Sequence, residues 1–508
     1  MRLSLVLLAA LCATCAGSQV FAHDYFKITV VDDQTKRGVP LVEVRTTNEI
    51  RYYTDSNGVV AFLEPGLMDQ NVFFTLKSHG YEFAADGFGT RGKALRTTPG
   101  KEATLEIKRI NIAERLYRVT GQGIYRDSLL TNTPVQTSQP ALNAQVMGQD
   151  TVDCVPYQGK LFWLWGDTGK PSYPLGNFST TCATSDLPRQ GGLDPSRGVN
   201  LRYFMNDEGF TKRMVPLEEP GPVWLGALIT LPDETGRERL VAHFTRVKDL
   251  MAAQEVGLVI FNDEKQIFER LVNFDLKGPL RTGYSHAFRH TDNGVDYIYF
   301  ATPYPSLRVR ADLAHLKDEK TYEAYTCLKP GSRYDKKNPP FNRDTNGKLI
   351  YGWQPNTDRV GPGEQHDLEE AKLLKPDEGY WQLRDVESNK RVLAHAGSVY
   401  WNEFRKRWVM VFHEVKGTSL LGEVWYAEAQ APIGPWTTAR KIVTHDNYSF
   451  YNVKHHPYFD QEGGRVIYFE GTYTTFLTGN QDPTPRYDYN QIMYRLDLSD
   501  PRLHAKGE

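Results

Sequence analysis

The stretch GQDTVDCVPYQGKLFWLWGDT, residues 148–168, sets Asp150 and Asp153 beside one apolar-rich run and Asp167 just after a second. Two such runs folded back on each other as strands would bring these acids together at the open end of a hairpin. Carboxylates gathered in this way suit glycosidic cleavage. One carboxylic acid protonates the leaving oxygen, and a second carboxylate activates water or attacks the sugar carbon. A Gly-Asp-Thr after a strand is also a common turn in which the Asp satisfies backbone amides. The choice between the two readings depends on whether other parts of the chain deliver matching groups to the same place.

Past residue 146 one pattern recurs five times: a strand, a turn and a second strand rich in aromatic and branched residues. The units are TVDCVPYQGKLFWLWGDT, LGALITLPDETGRERLVAHFTR, YSHAFRHTDNGVDYIYFATP, AHAGSVYWNEFRKRWVMVFHE and YNVKHHPYFDQEGGRVIYFEGTY. Each is a small meander that cannot bury both faces alone, and stacking such units around an axis makes a propeller. The predicted fold class is therefore all-β, a β-sandwich followed by a five-bladed β-propeller over 146–500. A charged and Pro-rich stretch at about 305–385 reads as an insertion over one face.

In a blade, the start of the innermost strand meets the end of its neighbour. That rule puts Asp150, Asp153, Trp224, His286, His395, His455 and His456 at or near first-strand starts. Asp167, Arg246, Tyr304, Glu414 and Glu470 fall at second-strand ends, and Tyr284 opens the third unit. All would open on one mouth, a single concave site. The expected catalytic acids are Asp150, Asp167 and Glu470. Asp153, Trp224, Arg246, Tyr284, His286, His395, Glu414, His455 and His456 are expected to bind substrate. Trp163, Trp165, Trp224, Tyr284 and Tyr304 are candidates to stack on sugar faces, while aromatics on hairpin interiors read as core.

The rest of the 508-residue chain bounds this reading. A formal net charge of −2 and no Lys/Arg stripe argue against a nucleic-acid partner. Residues 1–22, MRLSLVLLAALCATCAGSQVFA, carry one positive charge, an apolar run and small residues, the pattern of a signal peptide, so the protein is expected to be secreted, periplasmic or cell-surface. No later segment approaches the roughly 20 apolar residues of a membrane span, so no integral membrane segment is expected. Once Cys12 and Cys15 leave with the signal, Cys154, Cys182 and Cys327 allow at most one disulfide, for which Cys154 with Cys182 is one possible pair. Residues 23–108 alternate as short strands with an Asp-Ser-Asn-Gly turn at 55–58, read as a hairpin in a small β-sandwich. Residues 109–145 read as a linker wrapping onto the propeller.

Two resemblances add to this. The order strand, Gly-Val-Pro-Leu, strand, Thr-Asp-Ser-Asn-Gly-Val-Val in the first module resembles prealbumin-like or carboxypeptidase-regulatory-like modules, which usually support or dock. The chain from about 146 to 500 resembles five-bladed-propeller glycosidases, and YAEAQAPIGPW at 426–436 is similar to an outer-strand ending common in glycoside hydrolase family 43. Asp150, then Gly-Lys, an apolar strand and W-G-D-T ending at Asp167 and Thr168 is similar to a propeller family that includes endo-D-arabinanases. The resemblance implies that Asp150 and Asp167 are a catalytic pair. This chain has T-V-D-C where that family often has a Gly soon after the first Asp, which makes Asp153 the nearby substitute.

The expected function is a secreted glycoside hydrolase acting on a polysaccharide or oligosaccharide. One alternative is a polysaccharide lyase, with Tyr284, His286 or His455 abstracting a proton and Arg246 neutralising a uronate. Another is a non-catalytic carbohydrate-binding or surface-assembly protein. No cofactor is required by this chemistry, although a structural Ca²⁺ could sit among oxygen ligands in the channel. Glu364 and Asp367 are expected in the insertion, within reach of the funnel.

Overall fold

The computed structural model describes residues 25–504 except 249–251, 281–285, 446 and 487. Residues 1–22, where a signal peptide is expected, and Tyr284 lie outside the described residues. The chain is almost entirely β. Its first module is two four-stranded sheets. One holds Phe26–Asp32 between Val59–Phe62 and, in parallel, Glu102–Arg109; the other pairs Glu43–Thr46 with Asn71–Lys77. Alternate residues of both, such as Ile28, Phe62, Val44 and Phe74, share one apolar core. The turn at 55–58 is not a hairpin, because Arg51–Tyr53 and Val59–Phe62 belong to different sheets. Asp55 makes it a corner: its carboxylate accepts from Asn57 N and Val59 N, and also from Ser128 N in the next segment.

Five sheets follow, each built outward from a strand at the centre. The inner strands are Asp153–Tyr157, Val223–Pro232, His286–Asp292, Ala394–Asn402 and Ser449–His455, of blades I to V. Their partners are Lys160–Trp165, Glu238–Lys248, Val295–Ala301, Arg407–Val415 and Val466–Thr474. Tight two-residue turns with left-handed backbone, Gln158-Gly159 and Asn293-Gly294, join the pairs of blades I and III. Each pair of neighbouring blades encloses its own apolar cluster. Phe162 of blade I meets Leu225 of blade II, Ala227 of blade II meets Ile298 of blade III, and Phe288 of blade III meets Trp408 of blade IV. Val411 of blade IV meets Phe450 of blade V, and Tyr468 of blade V meets Trp163 of blade I. Burial between blades is the main force that holds the ring.

Two segments differ from the sequence reading. Glu114–Arg118, expected in the linker, is the outermost strand of blade V, antiparallel to Asn490–Asp497, so chain from before blade I closes the ring. Leu307–Arg310, Glu323–Thr326 and Gly352–Pro355, expected in the insertion, are the outer strands of blade III. Each is only four residues long, too short for an apolar alternation to set it apart from the insertion in the sequence. The remainder of that stretch has a small core of its own around Leu328, Leu349 and Leu368. The three cysteines are buried and free. Cys154 and Cys182 lie on strands that flank Lys160–Trp165 on opposite sides, which keeps them apart.

Candidate active site

Asp150 and Asp167 come together at the end of the blade I hairpin. Asp167 N donates to Asp150 Oδ1 at 2.7 Å, Asp150 N donates to Asp167 O at 3.1 Å, and Gly166 N donates to Asp150 O at 2.8 Å. The glycine of W-G-D-T is required here, since a Cβ at position 166 would stand 2.4 Å from Asp150 Oδ1. Both acids are partly exposed. Burial pushes Asp150 up to about 6, against the Tyr451 hydroxyl and Asp167 N–H that favour its ionised form. Burial, then the adjacent Asp150 charge, pushes Asp167 up to about 7, with the Trp224 side chain acting the other way. Tyr451 Oη donates to Asp150 Oδ2 at 2.8 Å, while Asp167 Oδ1 has no hydrogen-bond partner among the described residues.

The dyad is set by strained backbone. Thr151 has a left-handed φ of 56°, a conformation that costs a β-branched residue on the order of 1–3 kcal/mol. Three bonds hold it there. Its N donates to Thr472 Oγ1 at 2.9 Å, its hydroxyl accepts from Asn452 Nδ2 at 2.8 Å, and its carbonyl accepts from Gln491 Nε2 at 3.1 Å. Asn452 is itself left-handed, and blade V has a register shift between Tyr451 and Lys454. That bulge points Tyr451 at Asp150. Two neighbouring blades therefore build one carboxylate pair.

The remaining expected residues divide. Trp224 joins the dyad, while His395 is exposed near the start of the blade IV inner strand, its Nδ1 2.9 Å from His413 Nε2. Although part of the side chain reaches solvent, the protein packed around the ring and then the Arg359 charge lower the His395 pKa. Asp153 lies deeper than expected. It is buried, accepts from Cys154 N and Leu228 N, and faces the buried Lys454 Nζ at 4.0 Å. Burial raises Asp153 and lowers Lys454 to about 8. His286 is buried with Nε2 3.2 Å from Val399 O, and burial holds its pKa well below the usual imidazole range. Lys454 acts electrostatically on both Asp153 and His286, so the three form one buried cluster.

Glu470, His455 and His456 do not reach the mouth. The blade V inner strand begins at Ser449, so His455 ends it. His455 bonds Asp460 at 2.8 Å in the hairpin turn, and His456 meets the fully buried Glu470 at 3.2 Å between blades V and I, against Trp163. Arg246 is spent on Glu255 at 2.9 Å and the Pro220 carbonyl at 3.0 Å. Tyr304 is buried with its ring 4.2 Å from that of Trp381. Glu414 is buried; burial pushes it up to about 7, and the groups acting on it, Lys441, Glu423, Trp425 and Asp385, belong to blade IV. Trp163 and Trp165 are fully buried and stacked, as core. Glu364 bonds back to Gly361 N at 3.1 Å and caps its own helix, Pro362–Glu370.

Sequence reading missed Tyr451, Asn452, Lys454 and Gly166. The only usable signal was the Tyr-Asn ahead of Lys-His-His, and the bulge at Asn452 breaks the alternation that would have phased it. Among the described residues no group of three or more His, Cys, Asp or Glu side chains could hold a metal ion, and no helix is long and apolar enough to cross a membrane.

No protein-family description matches the chain, and no curated protein matches it either. Solved structures similar to it include an exo-β-1,3-galactanase from Phanerochaete chrysosporium, with 10% identity over 76% of this chain and 65% of that one, at a TM-score of 0.39. A putative exo-β-1,3-galactanase from Bifidobacterium bifidum shares 8% identity over 76% of this chain and 94% of its own, at 0.37. An α-L-arabinofuranosidase from Fusarium graminearum shares 12% identity over 76% and 98%, at 0.36. The chain thus spans about 65% of the length of the Phanerochaete protein. Likeness this distant bears no weight for chemistry, which has to be argued from the site.

Proposed function

We propose that this protein is a glycoside hydrolase in which Asp150 and Asp167 are the reacting carboxyl pair. The observation that carries the reading is the dyad itself: two partly exposed carboxyls held side by side by a backbone N–H, with their acidities displaced upward by burial and by each other. Asp150 receives two donors, Asp167 N–H and Tyr451 Oη–H, and is suited to remain ionised as base or nucleophile. Asp167 has one buried oxygen with no partner and is suited to hold the proton that the leaving oxygen takes. Trp224 beside Asp167 offers an aromatic face for a sugar ring. The polysaccharide substrate and an exported location remain part of this proposal.

The lyase alternative loses support from the placement of its groups, since Arg246 is paired with Glu255 and both His286 and His455 are buried. The deciding experiment incubates the purified protein with plant, algal and bacterial glycans and follows both reducing ends and ultraviolet absorbance. New reducing ends without absorbance, lost in Asp167→Asn, are expected. An absorbing product would establish elimination, and turnover unchanged in Asp167→Asn would remove the dyad from the chemistry.

A further inference from the structure

We propose that the opposite end of the channel, where the inner hairpins turn, is a second carbohydrate site that binds a short neutral oligosaccharide without cleaving it. A bowl of about 670 Å³ opens there, large enough for a few sugar rings. Five rings line it, Phe288, Tyr400, Trp401, Trp408 and Tyr458, from blades III to V. Four are half or fully buried, whereas Trp401 is 43% exposed. It is held at the rim edge-on to Trp408, centroids 6.0 Å apart, by its indole N–H, which donates to Glu403 at 2.8 Å. A flat, fixed, exposed ring beside a recessed aromatic wall suits the C–H face of a sugar.

The polar groups specify a neutral ligand. Tyr400, Tyr458 and Thr230 supply hydroxyls. The two charged lining residues already have partners: Arg289 pairs with Asp296 at 2.6 Å, and Glu238 accepts from Gln158 N at 2.8 Å. An anionic ligand would find no free cation in the lining. Glu238 is also the one carboxylate among the lining residues, so the bowl has no acid pair to cut a glycosidic bond. The lining contains none of Asp150, Asp167, Tyr451 and Trp224, so the bowl and the dyad share no residue.

The test uses the double variant Asp150→Asn, Asp167→Asn, so that binding is read without turnover and independently of the hydrolase reading. Cellohexaose, laminarihexaose and α-1,5-arabinohexaose are titrated by calorimetry, with hexagalacturonate as the charged probe. At least one neutral hexaose is expected to bind saturably, and adding Trp401→Ala should weaken it about tenfold, as for loss of a tryptophan anchor. Because Trp401 lies at the rim, this change spares the core, and Tyr458→Phe should weaken the same probe by a smaller factor. Binding of no neutral hexaose, binding undiminished by Trp401→Ala, or preference for hexagalacturonate would each overturn the proposal. Failure of the hydrolase reading would show elsewhere, as absence of new reducing ends from the unaltered protein.

Discussion

The two ends of the propeller channel are built from the same five inner hairpins, yet they differ in almost every physical respect. At the end where inner strands begin, the chain departs from regular pairing: Thr151 and Asn452 are left-handed and their backbone is held by side-chain amides and hydroxyls. That end presents two carboxyls with displaced acidities. At the end where hairpins turn, the blade III and IV pairs run in regular register up to their turns, the charged lining residues are paired, and aromatic rings line the bowl. Left-handed residues occur at both ends, Gln158 and Asn293 in the turns and Thr151 and Asn452 at the mouth, but only at the mouth do they position a pair of carboxyls with raised pKa values.

The most severe way to break this contrast is to remove an acid at the strained end. Asp150→Asn or Asp167→Asn should lower the cleavage rate by about three orders of magnitude, measured as reducing ends released by folded protein. Gly166→Ala keeps both acids but crowds Asp150 Oδ1, and a misplaced carboxylate should cost about a hundredfold in the same assay. Tyr451→Phe should cost about tenfold. Its sharper readout is pH. Activity requires Asp150 ionised and Asp167 protonated, so it should fall as pH drops below about 6 and again as pH rises above about 7. Loss of the tyrosine donor disfavours the Asp150 anion, which moves the acidic limb to higher pH and leaves the basic limb in place.

Glu470→Gln tests the contrast from the other side. This acid is buried with His456 away from either mouth, so the change should reduce unfolding free energy by about 1–3 kcal/mol while the folded fraction cleaves at the normal rate. The smallest effect is on stability at the dyad. Both carboxyls have raised values in the folded chain, so the unfolded chain loses its protons near pH 4 while the folded one keeps them to about 6 and 7. Stability therefore declines as pH rises through that window, and the deficit persists above it. The double Asn variant should melt higher than the unaltered protein near pH 8, on the order of 1 kcal/mol more stable, and equally near pH 4.

Much of this was legible in residues 148–168. Alternating apolar runs and W-G-D-T placed a hairpin with acids at its open end, and the recurrence of such hairpins implied the radial fold. Legibility failed where periodicity did. Around Asn452 a bulge shifts the strand phase, so His455 and His456 were assigned to the wrong end and Tyr451 was passed over. Glu470 alternates like a mouth residue, but a position on a strand does not say which neighbouring blade its side chain meets. Glu323–Thr326 of blade III falls in YEAYTCLKPG, which reads as a strand, but Leu307–Arg310 and Gly352–Pro355 are absorbed into the expected insertion because four residues are too few to show an alternation.

By itself the sequence determined the period-two strands, their turns and their repetition, since these follow from local backbone preference and from the need to bury one face of each sheet. It also determined that Asp150 and Asp167 would be close, because a hairpin is a local structure. Only the tertiary structure decided which distant groups join them. Tyr451 reaches Asp150 across 301 positions, and Glu114–Arg118 closes the last blade, because ring closure brings chain ends together by packing between blades, which leaves no mark on spacing along the chain.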